Sequence, residues 1–156
     1  MLKMICFDMD GTIADLYGVK DWHSMLRAEN PIPYQMAKPI WDMKKLAEVL
    51  WQLIELDIEI RIITWLSINS SETYKEETRQ AKFDWLIKNK FPFSHFHAVQ
   101  YGTTKADCVR HYLDDDETAI LIDDNQKVRA GWHLGDTIDP TAQNIIEELK
   151  KLIGEL

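Results

Sequence analysis

Residues Leu2 to Phe7 form a short apolar run that stops abruptly at Asp8-Met9-Asp10-Gly11-Thr12. That junction constrains the fold more than any other feature of the chain. A run of this length, apolar but for Lys3, reads as a strand buried on both faces. Two carboxylates immediately beyond it must lie at its carboxyl end. The same pattern returns later. Ile58, Ile60, Ile62 and Ile63 form a β-branched run ending at Thr64, and Thr118 to Ile122 ends at Asp123-Asp124. Phe96 to Val99 is a further strand candidate.

Helical spacing fills the intervals. Met43, Leu46, Ala47, Leu50 and Leu53 predict an amphipathic helix over about 43–56, with Trp51 on its apolar stripe. Glu72 to Lys90 is charged, with Ala81, Trp85 and Leu86 on one side. Thr103 or Thr104 can cap a helix running to Tyr112, and Ala142 to Leu156 closes the chain with i, i+3, i+4, i+7 spacing. Strands alternating with helices imply right-handed crossovers and an α/β fold, a central parallel sheet of about five strands covered on both faces. Ligands in such sheets sit beyond the carboxyl ends of the strands, where Asp8, Asp10, Thr64, Asp123 and Asp124 would converge.

The stretch from about 14 to 42 breaks the alternation. Pro31, Pro33 and Pro39 exclude one long helix, although Asp21 to Glu29 fits a short one. We read it as a small lid over the rim within a single domain spanning 1–156. Trp65, at the rim, and Trp22 and Trp41, in or beside the lid, are candidates to stack on a base or sugar.

Composition narrows the partners. Eighteen Lys and Arg against 26 Asp and Glu give a net charge of −8, the wrong sign for a protein that tracks the phosphates of duplex nucleic acid. The two cysteines, Cys6 and Cys108, form no C-x-x-C pair, so neither a disulfide scaffold nor a zinc knuckle is expected. No apolar run approaches the ~18 residues of a membrane span, and the N-terminus does not read as a signal peptide, so a cytoplasmic setting is expected. Asp114 to Glu117 reads as a solvated loop, and His95, His97, His111 and His133 as structural or exposed.

Four acids gathered at one rim repel unless a hard cation lies among them, and an oxygen-only donor set suits Mg²⁺. Here the chain resembles a family. Phe7-Asp8-Met9-Asp10-Gly11-Thr12 resembles the first motif of the haloacid-dehalogenase-like (HAD) phosphohydrolases, and Leu121-Ile122-Asp123-Asp124-Asn125 resembles their acidic fourth motif. Thr64 matches the second motif in type and place. Lys105, in Gly-Thr-Thr-Lys, matches the third; Lys82 is its rival, read as lying on a solvated helix face yet within reach of phosphate. The arrangement is most similar to the small 5′(3′)-deoxyribonucleotidase group, although Thr103 stands where that group commonly has a basic residue.

The resemblance implies a three-layer Rossmann-like core with a minimal lid, and Mg²⁺-dependent hydrolysis of a phosphomonoester through an aspartyl-phosphate. Asp8 would be the nucleophile and Asp10 the general acid and base. Thr64 and Lys105 would bind the phosphoryl group, with Gly11, Trp65 and Lys82 at the substrate. Asp8, Asp10 (through its carbonyl), Asp123 and Asp124 would surround the metal. The expected substrate is a small phosphorylated metabolite, foremost a nucleoside monophosphate. A sugar phosphate, a phosphorylated nucleic-acid end, and a catalytically silent binding module of the same fold are the alternatives. Asp10 separates phosphatases from the dehalogenases of the superfamily, which lack it.

Overall fold

The computed structural model describes residues 1–156. β1 (Leu2–Phe7) leads into the crossing segment. That segment holds β2 (Ala14–Asp15), a 3₁₀ turn at Leu16–Gly18, α1 (Trp22–Arg27), α2 (Ile32–Met36) and β3 (Lys38–Pro39). Then follow α3 (Met43–Glu55), β4 (Glu59–Leu66), α4 (Glu72–Lys88), β5 (His95–Gln100) and α5 (Lys105–Val109) with a 3₁₀ turn at Arg110–Tyr112. The chain ends with β6 (Thr118–Ile122), α6 (Gln126–Ala130), β7 (Thr137–Ile138) and α7 (Ile145–Glu155).

Five strands form one sheet in the order β5-β4-β1-β6-β7, every pairing parallel. β1 is central, and the chain passes to β4 on one side and β6 on the other. This reversal opens a crevice at the carboxyl end of β1, the place where ligands bind in such sheets. Alternation along β1 feeds both layers. Ile5 and Phe7 join the larger core with α3, α7 and the Trp85-Leu86 face of α4, whereas Met4 and Cys6 join the smaller core with Val109 and Trp132.

Caps mark where helices start. Asp42, Ser71, Asn125 and Asn144 each accept bonds from the first-turn amides of α3, α4, α6 and α7. Thr104 occupies the same position before α5 but its side chain makes no such bond, and that helix tightens to 3₁₀ at Arg110, short of the continuous run expected to Tyr112.

The crossing segment packs on α4 through Leu16, Tyr34, Tyr74 and Ala81, and Trp85 Nε1 donates to Ala37 O at 2.7 Å. Two expectations fail in this region of the chain. Trp51 is 55% exposed rather than core, because it lies on the flank of α3 that turns away from the sheet. Lys82 is 1% exposed rather than solvated. It shares a helix face with Thr78, Ala81 and Trp85, all buried. No helix is long and apolar enough to cross a membrane.

Candidate active site

Asp8 follows β1 directly, and its amide donates to Ile122 O at 3.0 Å, locking the end of β1 to the end of β6. Thr12 then ties the two acidic ends together. Its hydroxyl donates to Asp8 Oδ2 at 2.9 Å and accepts from the Asp124 amide at 3.1 Å. The tight turn that allows this needs Gly11, whose φ is +81°, and a Cβ there would collide with the Asp124 carboxylate and the Tyr17 ring. Trp41 braces the loop by donating to Thr12 O at 2.8 Å. That bond holds Trp41 under the loop, so it does not line the crevice as a stacking surface.

Lys105 enters from the first turn of α5. Its Nζ lies 2.9 Å from Asp8 Oδ1 and 2.8 Å from Asp123 Oδ2, all three groups buried. Burial alone would lower the Lys105 ammonium. The two carboxylates outweigh it and hold the lysine charged above its usual range. Asp8, Asp123 and Asp124 place carboxylate oxygens within 4.8 Å of one another. One ammonium against three carboxylates leaves the cluster negative. Burial first, then Asp8, pushes the Asp124 carboxyl up to about 7, and burial with Asp8 raises Asp123 as well. An all-oxygen set under this much repulsion fits a hard divalent cation of the Mg²⁺ type. The Asp10 carboxylate lies outside this group.

Asp10 has its own partner. Lys82 Nζ donates to Asp10 Oδ2 at 3.0 Å, to Thr64 Oγ1 at 2.8 Å and to Trp65 O at 2.8 Å. These three bonds use all three donors of the ammonium. Lys82 therefore anchors the end of β4 to Asp10 and, so placed, has no donor turned to the crevice. Thr64 accepts from Lys82, which leaves its own hydroxyl hydrogen free to donate. Burial pushes the Asp10 carboxyl above its usual range, against the pull of Lys82.

Above the acids lies a cavity of about 330 Å³. Tyr17, Trp22 and Tyr34 of the crossing segment form one side, and Trp65 and Tyr101 at the ends of β4 and β5 form the other. Tyr17 and Trp22 meet edge to face at 4.9 Å, and Trp65 and Tyr101 lie tilted at 4.7 Å. Trp65 is fixed by its bond to Thr103 O at 3.0 Å. Sequence reading missed Thr12, Tyr17, Tyr34 and Tyr101. Only Thr12 carried a local signal, four residues after the first acid on a turn that brings it back.

No protein-family model matches the chain, and no curated protein matches it. Among solved structures, a chain from the structure of the Pnkp1/Rnl/Hen1 complex aligns with a TM-score of 0.55 at 15% identity. The alignment covers 88% of this chain and 46% of that one, so the present chain spans about half its length. A likeness at that identity is one of fold.

Proposed function

We propose that this chain is a divalent-metal-dependent phosphomonoester hydrolase of the HAD kind, with a nucleoside monophosphate as the leading substrate. The observation that carries the reading is the Lys105 bridge between Asp8 and Asp123 at the floor of an aromatic-walled cavity. It leaves one carboxylate, Asp8, at the central strand end, oriented by Lys105 and Thr12 toward the space where a phosphate fits.

Asp8, Asp123 and Asp124 would hold Mg²⁺, which when bound neutralises phosphoryl oxygens and the acids themselves. The chain's own residues account for the rest. An Asp8 oxygen attacks phosphorus, the ester P–O bond breaks, and Asp10 gives its proton to the departing alkoxide. Burial of Asp10 favours the protonated form that this step needs. The resulting Asp10 carboxylate then takes a proton from water, whose oxygen attacks phosphorus. Phosphate leaves and Asp8 is restored. Thr64 donates to a phosphoryl oxygen while Lys82 holds its lone pair, and Lys105 offsets charge as it develops. The aromatic walls suit a flat leaving group.

The test is phosphate release from 5′- and 3′-nucleotides, sugar phosphates, an aryl phosphate and an end-phosphorylated oligonucleotide, with and without Mg²⁺. Mg²⁺-dependent release that falls by at least about 10³-fold in Asp8→Asn is expected, the scale on which a lost nucleophile acts. Undiminished release by Asp8→Asn would remove the nucleophile assignment. No release from any substrate, with Mg²⁺ still bound, would favour a binding role.

A further inference from the structure

A second hollow of about 210 Å³ opens beside the aromatic cavity and shares Leu26, Tyr34 and Ser67 with it. It lies between the crossing segment and the loop from β4 to α4. Its polar lining includes Arg27, Asn69, and Ser67 and Ser70, whose hydroxyls bond each other at 2.5 Å and so leave one hydroxyl hydrogen free between them. Arg27 enters no ion pair and no side-chain hydrogen bond. Glu29 is the one carboxylate present, and Ser71 holds it through bonds from its amide at 3.1 Å and its hydroxyl at 2.5 Å. Behind the Tyr34 and Tyr74 wall, Tyr74 Oη and Thr78 Oγ1 are buried without hydrogen-bond partners. In the hollow itself, Arg27 and Asn69 keep donor capacity that the chain does not spend on itself.

The aromatic cavity offers a contrast. Lys105 lines it, and Lys82 lies beneath it, but both are committed to carboxylates. A second anion on the substrate would find no free cation there, and would find one at Arg27.

We propose that the second hollow seats a second oxyanion, a phosphate or a carboxylate, carried by the leaving group away from the scissile ester, with Arg27 as its counter-ion. The proposal rests on the phosphatase reading and specifies the substrate further: a monoester whose leaving group carries a second anionic group. A planar guanidinium binds either oxyanion through paired N–H donors, and Asn69 and the one hydroxyl hydrogen that the Ser67–Ser70 bond leaves free supply further donors.

Matched substrate pairs test it. One pair is adenosine 5′-monophosphate and adenosine 3′,5′-bisphosphate; the other is phenyl phosphate and 4-carboxyphenyl phosphate. In the wild type, kcat/KM for the doubly anionic member of at least one pair is expected to exceed that of its partner about tenfold, the worth of one good charge-assisted contact. The pair that shows it identifies phosphate or carboxylate. In Arg27→Gln the ratio collapses toward one, and Arg27→Lys retains part of it. Equal turnover within both pairs, or a ratio indifferent to Arg27→Gln, overturns the proposal and leaves the phosphatase reading standing. If nothing is hydrolysed, that reading falls, and calorimetric titration of the two adenosine nucleotides into wild type and Arg27→Gln still decides the hollow. Tighter binding of the bisphosphate that depends on Arg27 supports it; equal affinities sink it.

Discussion

Lys82 holds Asp10 across 72 residues of sequence, with Nζ 3.0 Å from Oδ2. The lysine is buried and its two other donors go to Thr64 and Trp65, so it fixes Asp10 to the end of β4. Lys82→Met leaves Asp10 and the Thr64 hydroxyl without that partner. Breaking a pair of this kind costs a few kcal/mol when it is fully buried, and Asp10 keeps some contact with water, so about 1–3 kcal/mol of stability is expected. Because Lys82 does not face the phosphate, the loss of turnover should fall on kcat, roughly 10²–10⁴-fold, with KM little changed. Steady-state kinetics beside urea unfolding check this. A rise in KM with kcat intact would instead place Lys82 on the substrate.

The acid cluster makes opposite predictions with and without metal. In metal-free protein above about pH 7, where Asp124 is ionised, Asp8, Asp123 and Asp124 repel across at most 4.8 Å, so Asp124→Asn relieves strain and raises Tm. For a chain this long each kcal/mol is worth about 2–4 °C. Adding Mg²⁺ stabilises the wild type by mass action, whereas the variant, one carboxylate short, gains less. Thermal unfolding at several Mg²⁺ concentrations reads both effects. A variant less stable than wild type without metal, yet equally stabilised by it, contradicts the assignment.

The α/β architecture and the floor of the site were legible because both rest on local patterns. Asp8 and Asp123 each follow an apolar run, and the topology of parallel strands brings such ends together. The start of α5 was legible from a glycine break and a threonine before a helix, whereas Lys105 itself was singled out only by its resemblance to a family motif. Lys82 carried a signal that charge obscured: Thr78, Ala81, Lys82 and Trp85 form one helical stripe, and a lysine on it is buried when a carboxylate waits there. The crossing segment was legible as an interruption holding one short helix, expected over Asp21 to Glu29 and found as α1 at Trp22–Arg27. β2, β3 and β7 have two residues each, too short for any periodicity, and Tyr17 and Tyr34 reach the cavity through tertiary packing of the crossing segment on α4. Trp51 failed for a related reason: it borders the apolar stripe of α3, and only the position of the sheet decides which flank is covered.

A histidine away from the site sets a pH dependence of folding. Arg61 Nη1 lies 3.1 Å from His97 Nε2, and a guanidinium can only donate, so that nitrogen accepts and the ring is neutral. Burial, then the charges of Arg61, His95 and His111, lowers the His97 pKa below its ordinary value of 6.5. With the folded pKa depressed, the unfolded chain takes up the proton first as pH falls. His97 therefore adds no penalty above about pH 6.5, and stability is lost as pH drops through that value. In urea titrations from pH 8 to 5, His97→Gln, which keeps an acceptor for Arg61 and cannot titrate, is expected to show a shallower decline than wild type. Superimposable declines would remove His97 from the account.

Trp85 and Trp51 provide a matched pair on neighbouring helices. Trp85 is 3% exposed, and its indole N–H donates at 2.7 Å to Ala37 O, tying α4 to the end of α2. Trp85→Phe keeps most of the ring but strands a buried carbonyl, at a cost of about 1–3 kcal/mol plus a small cavity. Trp51, exposed on α3, has no such partner, and Trp51→Gln should stay within about 0.5 kcal/mol of wild type. The two variants also separate on a local readout. Since the lost bond anchors the crossing segment, Trp85→Phe should speed limited proteolysis between residues 14 and 42 more than elsewhere, whereas Trp51→Gln should leave the cleavage pattern as it is. Uniformly faster cleavage throughout Trp85→Phe would mean that the bond supports the whole core rather than this segment, and the anchoring role would be withdrawn.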